Sequence, residues 1–339
     1  MQSVRVGVMQ FQHENANKSA NLAKMEEFVE QAARQSVRLL VFPECCITGY
    51  WFLRNLSRAS LASLAEAIPS GVSVQHVAAW ARQHNMTIGA GLAESDADGH
   101  LYNSFFVAMP DGRIINHRKL QAFEGPHMSS GNDFTVFDAP EIGRLATLIC
   151  YDNNIPENAR ICALRGAEIM LAPHQTGGCA SLSPHAMKPV DWKFWNERHE
   201  NPQALAAEFR GEKGRAWLLR WLPARAHDNG LFYLFANGIG PDDDEVRTGN
   251  AMILDPYGRI IAESNSLGDD LVIADLDPAL RDECTGLRWI RARRPELYGE
   301  IAVPTGKEMD TRAVRFRLPA AADHETESQI SAPRTSEAT

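Results

Sequence analysis

Short apolar segments alternate with helical segments along most of the chain, and this alternation limits the folds that the sequence can adopt. Segments of strand length and segments of helical period follow one another at residues 5–11, 21–35, 39–42, 73–84 and 87–92. Alternation of this kind predicts an α/β fold in which helices cover sheets. The 339 residues correspond to about two average domains, although a large α/β domain can use the whole length.

The same alternation continues through the second half of the chain. Pro110-Asp111-Gly112 marks a hairpin, Pro156 can open a helix at its first position, and Pro173 is expected to end a strand. The predicted strands are residues 102–109, 113–116, 144–149, 168–171, 231–236, 251–254, 259–262 and 271–274. The predicted helices are residues 156–164 and 204–227, the latter in spite of Gly211 and Gly214.

Charge and cysteine content exclude several classes of protein. The net charge is −9, which argues against broad electrostatic binding to nucleic acid or to an anionic membrane. The longest apolar stretch, residues 39–53, is interrupted by Pro43 and Glu44 and is too short for a membrane span, and the N-terminus lacks the pattern of a signal peptide. Six cysteines without a C-x-x-C pair do not form a disulfide framework. We therefore expect a reduced, cytoplasmic protein.

Cys150 stands where a strand is expected to turn into a helix. It closes the apolar segment RLATLIC, and Tyr151-Asp152 follows before the helix that Pro156 opens. A turn of this kind lifts a side chain above the sheet and directs backbone N–H groups at the same space, where they can hold an oxyanion. Taken alone, a cysteine here is more often a buried residue at a strand end, because cysteine is among the most buried residue types.

Three charged residues also follow predicted strands. Glu44 comes directly after a mostly apolar segment, where a carboxylate is costly to bury unless it is paired or functional. Partial burial would raise its pKa and make it a general base for a thiol. Lys119 could stabilise a tetrahedral oxyanion. Taken alone, however, Lys119 and Glu124 are each interpreted as charged residues on the surface.

Considered together, these motifs resemble a known superfamily. The segments VFPECCITGY at 41–50, HRKL at 117–120 and LICYD at 148–152 are similar to the Glu, Lys and Cys motifs of the nitrilase, or carbon–nitrogen hydrolase, superfamily. Their order and their positions at strand ends agree with that pattern. The resemblance extends over about residues 4–300.

The resemblance implies a fold and a catalytic set. The fold would be a single large αββα sandwich over residues 1–318, paired into homodimers or larger homo-oligomers. Glu44 would be the general base, Lys119 the oxyanion stabiliser and Cys150 the nucleophile. Glu124, seven residues before Gly131, would be the second glutamate that many members use. The resemblance implies no metal and no organic cofactor.

The resemblance is less informative about the substrate, which we expect to be a small molecule. Tyr151-Asp152 after the nucleophile is similar to the amidase and carbamoylase branches, which favours a carboxamide or an N-carbamoyl compound over a nitrile. The alternatives are a nitrilase and an acyl-transferring or binding-only relative. Tyr151 offers its N–H to the oxyanion, and His174, Gln175 and Thr176 are expected to face the pocket because they follow the next strand.

Residues 178–223 are longer than a plain core of this superfamily requires and are interpreted as an added loop and helix. Its aromatic residues Trp192, Phe194 and Trp195 could line the pocket, or they could pack as a satellite core. Arg210 or Arg215 could bind a substrate carboxylate, or they could be solvated helix charges. The histidines and cysteine of residues 174–199 match no tight zinc pattern. Residues 319–339 have little to bury and are predicted to be a disordered tail.

Overall fold

A computed structural model describes residues 1–316. The predicted tail at 319–339 lies outside the described residues. The strands are Val4–Phe11 (β1), Leu39–Val41 (β2), Thr87–Ser95 (β3), Leu101–Ala108 (β4), Ile114–Arg118 (β5), Met128–Ser129 (β6), Val136–Ala139 (β7), Gly143–Thr147 (β8), Ile169–His174 (β9), Phe232–Asp242 (β10), Glu245–Thr248 (β11), Met252–Leu254 (β12), Ile260–Glu263 (β13) and Asp270–Leu276 (β14).

The helices lie mostly in the connections between these strands. They are Lys18–Arg34 (α1), Arg58–Leu64 (α2), Val72–Gln83 (α3), Pro156–Leu164 (α4), Trp192–Asn196 (α5), Pro202–Arg210 (α6), Arg215–Leu218 (α7), Leu222–His227 (α8), Ala279–Asp282 (α9), Thr285–Arg291 (α10) and Thr311–Phe316 (α11). Short 3-10 turns cover Trp51–Asn55, Cys150–Asn154, Pro295–Leu297 and Gly299–Ala302. Within the described range, no helix is long and apolar enough to cross a membrane.

One sheet of two halves runs through the molecule. Its strand order is β5-β4-β3-β2-β1-β10-β9-β8-β7. β1 pairs in parallel with β2 and antiparallel along its length with β14, but it meets β10 only where Gln10 pairs with Asn237 and Phe11 with Gly238. Because this pairing is short, the two halves can be oriented differently. The carboxyl ends of their parallel strands nevertheless lie at one edge.

Apolar clusters separate the layers of the fold. One cluster takes Leu39 and Val41 from the first half of the sheet and Leu145 and Ile169 from the second. Leu40, whose side chain points to the opposite face of its strand, belongs instead to the cluster beneath α1 and α3. A third cluster packs α4 and α8 on the second half. These memberships agree with the αββα order of layers, and the α/β fold within a single large domain is confirmed.

The structure corrects two predicted elements. The single helix predicted at 204–227 is wrong, because the segment forms α6, α7 and α8 with breaks after Arg210 and Leu218. A Cβ on Gly214 would lie 2.1 Å from the carbonyl oxygen of Phe209, which is closer than any side chain tolerates. The prediction that Pro173 ends its strand is also wrong, since β9 continues to His174.

Candidate active site

Glu44, Lys119 and Cys150 come from three strand ends that meet at one edge of the sheet. Glu44 follows β2, Lys119 follows β5 and Cys150 follows β8. Glu44 and Lys119 are fully buried, and Cys150 is 7% exposed. Gly91 in β3 makes the close approach possible, because a Cβ there would lie 2.4 Å from the Cys45 nitrogen next to Glu44. The structure therefore brings Glu44 and Lys119 of the first two motifs into one buried cluster beside the thiol of Cys150.

Lys119 is shared between two carboxylates. Its Nζ lies 2.6 Å from Glu44 Oε1 and also donates to Glu124 Oε1. Asn103 on β4 donates to the same two oxygens, at 2.7 Å to Glu44 and 2.9 Å to Glu124. Glu44 Oε2 is buried and has no hydrogen-bond partner within residues 1–316. One oxygen of this glutamate is thus fixed, and the other is free to accept a proton.

Burial governs the ionisation of this cluster. Loss of hydration raises the pKa of Glu44 well above its usual value, and the nearby Cys150 and Glu124 add to the rise while Lys119 opposes it. Burial by itself would lower the pKa of Lys119, but the two carboxylates outweigh that effect and raise it. Both shifts favour bound protons, so Lys119 is kept charged and Glu44 accepts a proton more readily than an exposed carboxylate.

Cys150 sits on a strained turn. Its φ is +47°, a left-handed conformation that is uncommon outside glycine and clusters at functional sites. The turn opens the 3-10 segment Cys150–Asn154, so the backbone N–H of Tyr151 is not used by a preceding helical turn. Asp152 holds the turn in place, accepting from the N–H of Ile149 at 3.0 Å and of Gln121 at 2.9 Å. This carboxylate joins the turn at Cys150 to the loop that follows Lys119.

A chain of hydrogen bonds links Cys150 to Thr176 and His174. Thr176 Oγ1 lies 3.4 Å from Cys150 Sγ and 2.9 Å from His174 Nδ1. Asn153 Nδ2 donates to His174 Nε2 at 3.0 Å, and Tyr233 donates to the amide oxygen of Asn153. An amide donor at Nε2 requires the histidine proton on Nδ1, so His174 donates to Thr176 and leaves that hydroxyl free to donate to the sulfur.

The neutral state of His174 agrees with its surroundings. The side chain is fully buried, and burial together with the charge of Lys119 lowers its pKa well below the usual value. His174 does not line the cavity over Cys150, whereas Tyr151, Gln175 and Thr176 do. Gln175 also donates to the backbone oxygen of Glu44 at 2.8 Å, so it connects the end of β9 to Glu44.

The cavity over Cys150 has a volume of about 240 Å³, slightly below the ~300–1,000 Å³ of typical small-molecule pockets. Ser181, Ser183, Ala186, Met187 and Trp217 of the added segment form part of its wall. None of the three aromatic residues proposed for that wall lines it. Trp195 and Phe194 pack instead in a separate cluster with Phe209, and Trp192 is partly exposed.

The arginines singled out in the added segment also lie away from the cavity. Arg210 and Arg215 both pair with Glu263. The cavity contains two other arginines, Arg247 on β11 and Arg315 on α11. Nothing in the sequence around either residue signalled this position, because long-range packing alone brings them to the site. Asn103 lies on the strand predicted at residues 102–109, but the sequence alone assigns this residue no role.

A thiol on a strained turn beside a buried carboxylate and a buried ammonium defines a cysteine-nucleophile hydrolase. Sequence comparison gives the family. The carbon-nitrogen hydrolase family model matches residues 5–285, so the chain belongs to the carbon-nitrogen hydrolase family. The resemblance drawn from the three motifs is thereby confirmed.

Curated relatives align over nearly their whole length. The hydrolase in the pqqF 5' region of Pseudomonas protegens is 29% identical, with 89% of this chain and 93% of that protein covered. The citrullinase of Francisella tularensis is 29% identical, covering 89% and 99%. Omega-amidase NIT2 of Mus musculus is 26% identical, covering 88% and 98%. The citrullinase and the omega-amidase carry different substrate names at similar identity, so similarity alone does not select a substrate.

Solved structures show the same fold. Nit3 of Saccharomyces cerevisiae, a member of branch 10 of the nitrilase superfamily, has a TM-score of 0.62 at 23% identity, with 91% of this chain and 96% of Nit3 covered. A double mutant of the amidase from Nesterenkonia sp. AN1 in complex with acrylamide has a TM-score of 0.64 at 21% identity, with 88% and 97% covered. The nitrilase-type fold is confirmed.

Proposed function

We propose that this chain hydrolyses the carbon–nitrogen bond of a small carboxamide or N-carbamoyl compound through a thioester on Cys150. The observation that carries the proposal is the free oxygen of Glu44. Oε1 is held by Lys119 and Asn103, whereas buried Oε2 lacks a partner among the described residues. A buried carboxylate with a raised pKa and one free oxygen is suited to take a proton and return it.

In the proposed acylation, Glu44 Oε2 takes the thiol proton and the sulfur attacks the amide carbon. The carbonyl electrons move to oxygen, and Lys119 Nζ and the Tyr151 N–H stabilise that oxyanion. When the oxyanion collapses, the carbon–nitrogen bond breaks and Glu44 protonates the leaving nitrogen, which departs as ammonia or an amine. The acyl group remains as a thioester. Dividing one difficult step into two in this way is the benefit of the covalent route.

In the proposed deacylation, Glu44 removes a proton from water and the hydroxide attacks the thioester carbon. Collapse of the second oxyanion expels the Cys150 sulfur, which recovers its proton from Glu44. Glu124 positions the water and keeps Lys119 aligned, since it binds the same ammonium as Glu44. The product is a carboxylic acid, or a carbamic acid when the substrate is an N-carbamoyl compound.

The test is ammonia release from carboxamides, N-carbamoyl amino acids, N-carbamoyl amines and nitriles, compared between the wild type and Cys150→Ala. We expect the wild type to turn over one amide-type class and the variant to lose activity by at least ~10³-fold, as removal of a covalent nucleophile does. Turnover confined to nitriles would assign a nitrilase, as one relative from Pyrococcus abyssi is named. Wild-type activity in Cys150→Ala would overturn the proposed nucleophile.

Hydroxylamine separates hydrolysis from acyl transfer. A thioester that reacts mainly with water gives free acid in its presence, whereas an acyl-transferring enzyme gives mainly hydroxamate. We expect free acid to dominate at low hydroxylamine concentration. Hydroxamate as the main product under those conditions would replace hydrolysis by acyl transfer.

We also propose that the chain forms a homodimer or a larger homo-oligomer in the cytoplasm, without nucleic-acid or membrane partners. Large apolar side chains remain exposed in α10 and after it, with Trp289 at 50% and Ile301 at 68%. Such side chains are suited to a second copy of the chain. Size-exclusion chromatography with light scattering tests the assembly, and a monomer at micromolar concentration would contradict it.

A further inference from the structure

Arg247 places a buried guanidinium in the wall of the catalytic cavity. The residue is 1% exposed and lines the same cavity as Cys150, Gln175 and Thr176. Its Nη2 has no hydrogen-bond partner among residues 1–316. A buried donor left unpaired costs about 1–3 kcal/mol, more when it is charged. An acceptor that reaches Nη2 would remove that cost.

The rest of the guanidinium is rigidly held. Nε donates to Asp242 Oδ2 at 2.8 Å, and Nη1 lies 2.9 Å from Glu245 Oε2 and contacts Cys179 Sγ. Asp242 is fixed in turn by the N–H of Trp51 at 2.9 Å. Because the planar fork cannot rotate without breaking these contacts, the direction of Nη2 is set before any ligand arrives.

A second cation faces the same cavity. Arg315 on α11 lines it, and its guanidinium lies 5.8 Å from the ring centroid of Phe123. Phe316 packs beside it on the rings of Trp51 and Phe123. Within the described part of the chain, Arg315 has no carboxylate within salt-bridge distance, whereas Arg247 already has two. The wall that these arginines share therefore offers a buried charged donor without a partner and an arginine without a carboxylate of its own.

The Tyr50 ring gives a common reference point for the distance between Arg247 and Lys119. Lys119 Nζ lies 5.5 Å from the centroid of the Tyr50 ring, and the Arg247 guanidinium carbon lies 5.4 Å from the same centroid. The oxyanion stabiliser and Arg247 are therefore separated by no more than the sum of these two distances. This upper limit is compatible with a substrate whose two ends are joined by a short aliphatic spacer.

We propose that Arg247, assisted by Arg315, binds a carboxylate at the end of the substrate opposite the scissile bond. This inference rests on the proposed function and narrows its substrate class to short carboxamide or N-carbamoyl compounds that bear a terminal carboxylate. A carboxylate supplies the hydrogen-bond acceptor that Arg247 Nη2 lacks. It also supplies the partner of opposite charge that Arg315 lacks. Arg247 is then a specificity-determining residue. Glu245 lies on the same wall. If Glu245 and not the arginines determined substrate specificity, the enzyme would prefer a cationic end group to a carboxylate.

The test compares the monoamide of glutaric acid with the isosteric amide in which a methyl-branched carbon replaces the carboxylate. The ratio of their kcat/KM values is the readout, because it cancels differences in the amount of folded enzyme. We expect the wild type to prefer the anionic amide by ~10- to 100-fold, the range of a hydrogen bond to a charged group. The amide of an aminoalkanoic acid of the same length supplies a cationic end group.

Arg247→Lys, Arg315→Gln and Arg210→Gln complete the design. Lysine preserves a charge for Asp242 and Glu245 but loses the fork, so Arg247→Lys should reduce the anion preference by at least ~10-fold, mainly through KM. Arg315→Gln should reduce it by a smaller factor. Arg210→Gln removes a similar arginine that pairs with Glu263 away from the cavity, and it should keep the wild-type ratio.

Two outcomes overturn this inference and leave the proposed function standing. One is wild-type turnover of the neutral or cationic amide at least as fast as the anionic amide. The other is an unchanged ratio in Arg247→Lys. Absence of turnover of all three amides, together with no ammonia from the wider set of compounds, would instead remove the proposed function itself.

Discussion

Thr176, which follows β9, contacts the sulfur of Cys150, the proposed nucleophile. Its hydroxyl accepts from His174 and can donate to Cys150. Thr176→Val removes that donor at nearly constant volume. We expect kcat/KM to fall by ~10- to 100-fold, because the sulfur loses a hydrogen-bond donor while negative charge develops on it. Thr176→Ser keeps the hydroxyl and should stay within a few-fold of wild type. Equal kcat/KM values for the valine and serine variants would contradict this role.

His174 should make stability depend on pH. Its folded-state pKa is lowered by burial and by Lys119, whereas the unfolded chain titrates near ~6.5. Protons therefore bind the unfolded state preferentially, so stability is full above about pH 6.5 and falls below it, by up to ~1.4 kcal/mol per pH unit. His174→Gln should flatten the fall in urea-unfolding free energy between pH 7 and 5. Parallel curves for wild type and variant would show that other groups cause it.

The residues that could be predicted from sequence are those whose local context is itself unusual. A carboxylate after five mostly apolar residues and a cysteine at a strand–helix turn single out Glu44 and Cys150. Lys119 needed the neighbouring motifs. Arg247 could not be found, because its environment comes from Asp242, Tyr50 and Trp51, and an arginine in a short hairpin strand is ordinarily an exposed one.

Asp152 connects two elements that carry different parts of the site. Its oxygens accept the backbone N–H groups of Ile149 on the nucleophile turn and of Leu120 and Gln121 after β5. Asp152→Asn replaces one acceptor oxygen by a donor and leaves at least one buried N–H unpaired. We expect a loss of about 1–3 kcal/mol in unfolding free energy and a fall in kcat, since Lys119 and Cys150 lose their common anchor.

The measurement is urea unfolding of Asp152→Asn together with its steady-state kinetics on the best substrate. Asp133→Asn is a matched control, because Asp133 pairs with Arg165 at the surface with its side chain 77% exposed. Surface pairs of this kind contribute little. Equal stability and equal kcat for the two variants would show that Asp152 is not an anchor.

Two elements show where sequence reasoning about the fold fails. Pro173 was expected to stop a strand, but β9 pairs with β8 only as far as Leu171 and with β10 as far as His174. Pro173 thus lies where β9 has lost one neighbour, which is where a strand tolerates a missing N–H. The 204–227 segment has helical periodicity, but packing of Gly214 against Phe209 and Thr248 overrides that period.

At the scale of the whole molecule, the last described helix closes on the catalytic cavity formed by the rest of the fold. Val303 precedes an exposed connection, after which Arg315 and Phe316 reach the rings of Trp51 and Phe123. Truncation after Leu318 keeps this helix and should leave activity and the anion preference unchanged. Truncation after Val303 removes it, and we expect a higher KM and a lower anion preference, as in Arg315→Gln.

The two truncations are best compared by the same ratio of kcat/KM values for anionic and neutral amides, with unfolding free energy measured in parallel. Loss of α11 uncovers Trp51 and Phe123, so a small loss of stability is expected from the exposed apolar area at ~25 cal/mol per Å². That loss lowers the amount of folded enzyme but cannot change a ratio between two substrates. A changed ratio only after removal of residues 304–339 therefore places the specificity effect in the helix. A changed ratio after removal of 319–339 would place it in the tail.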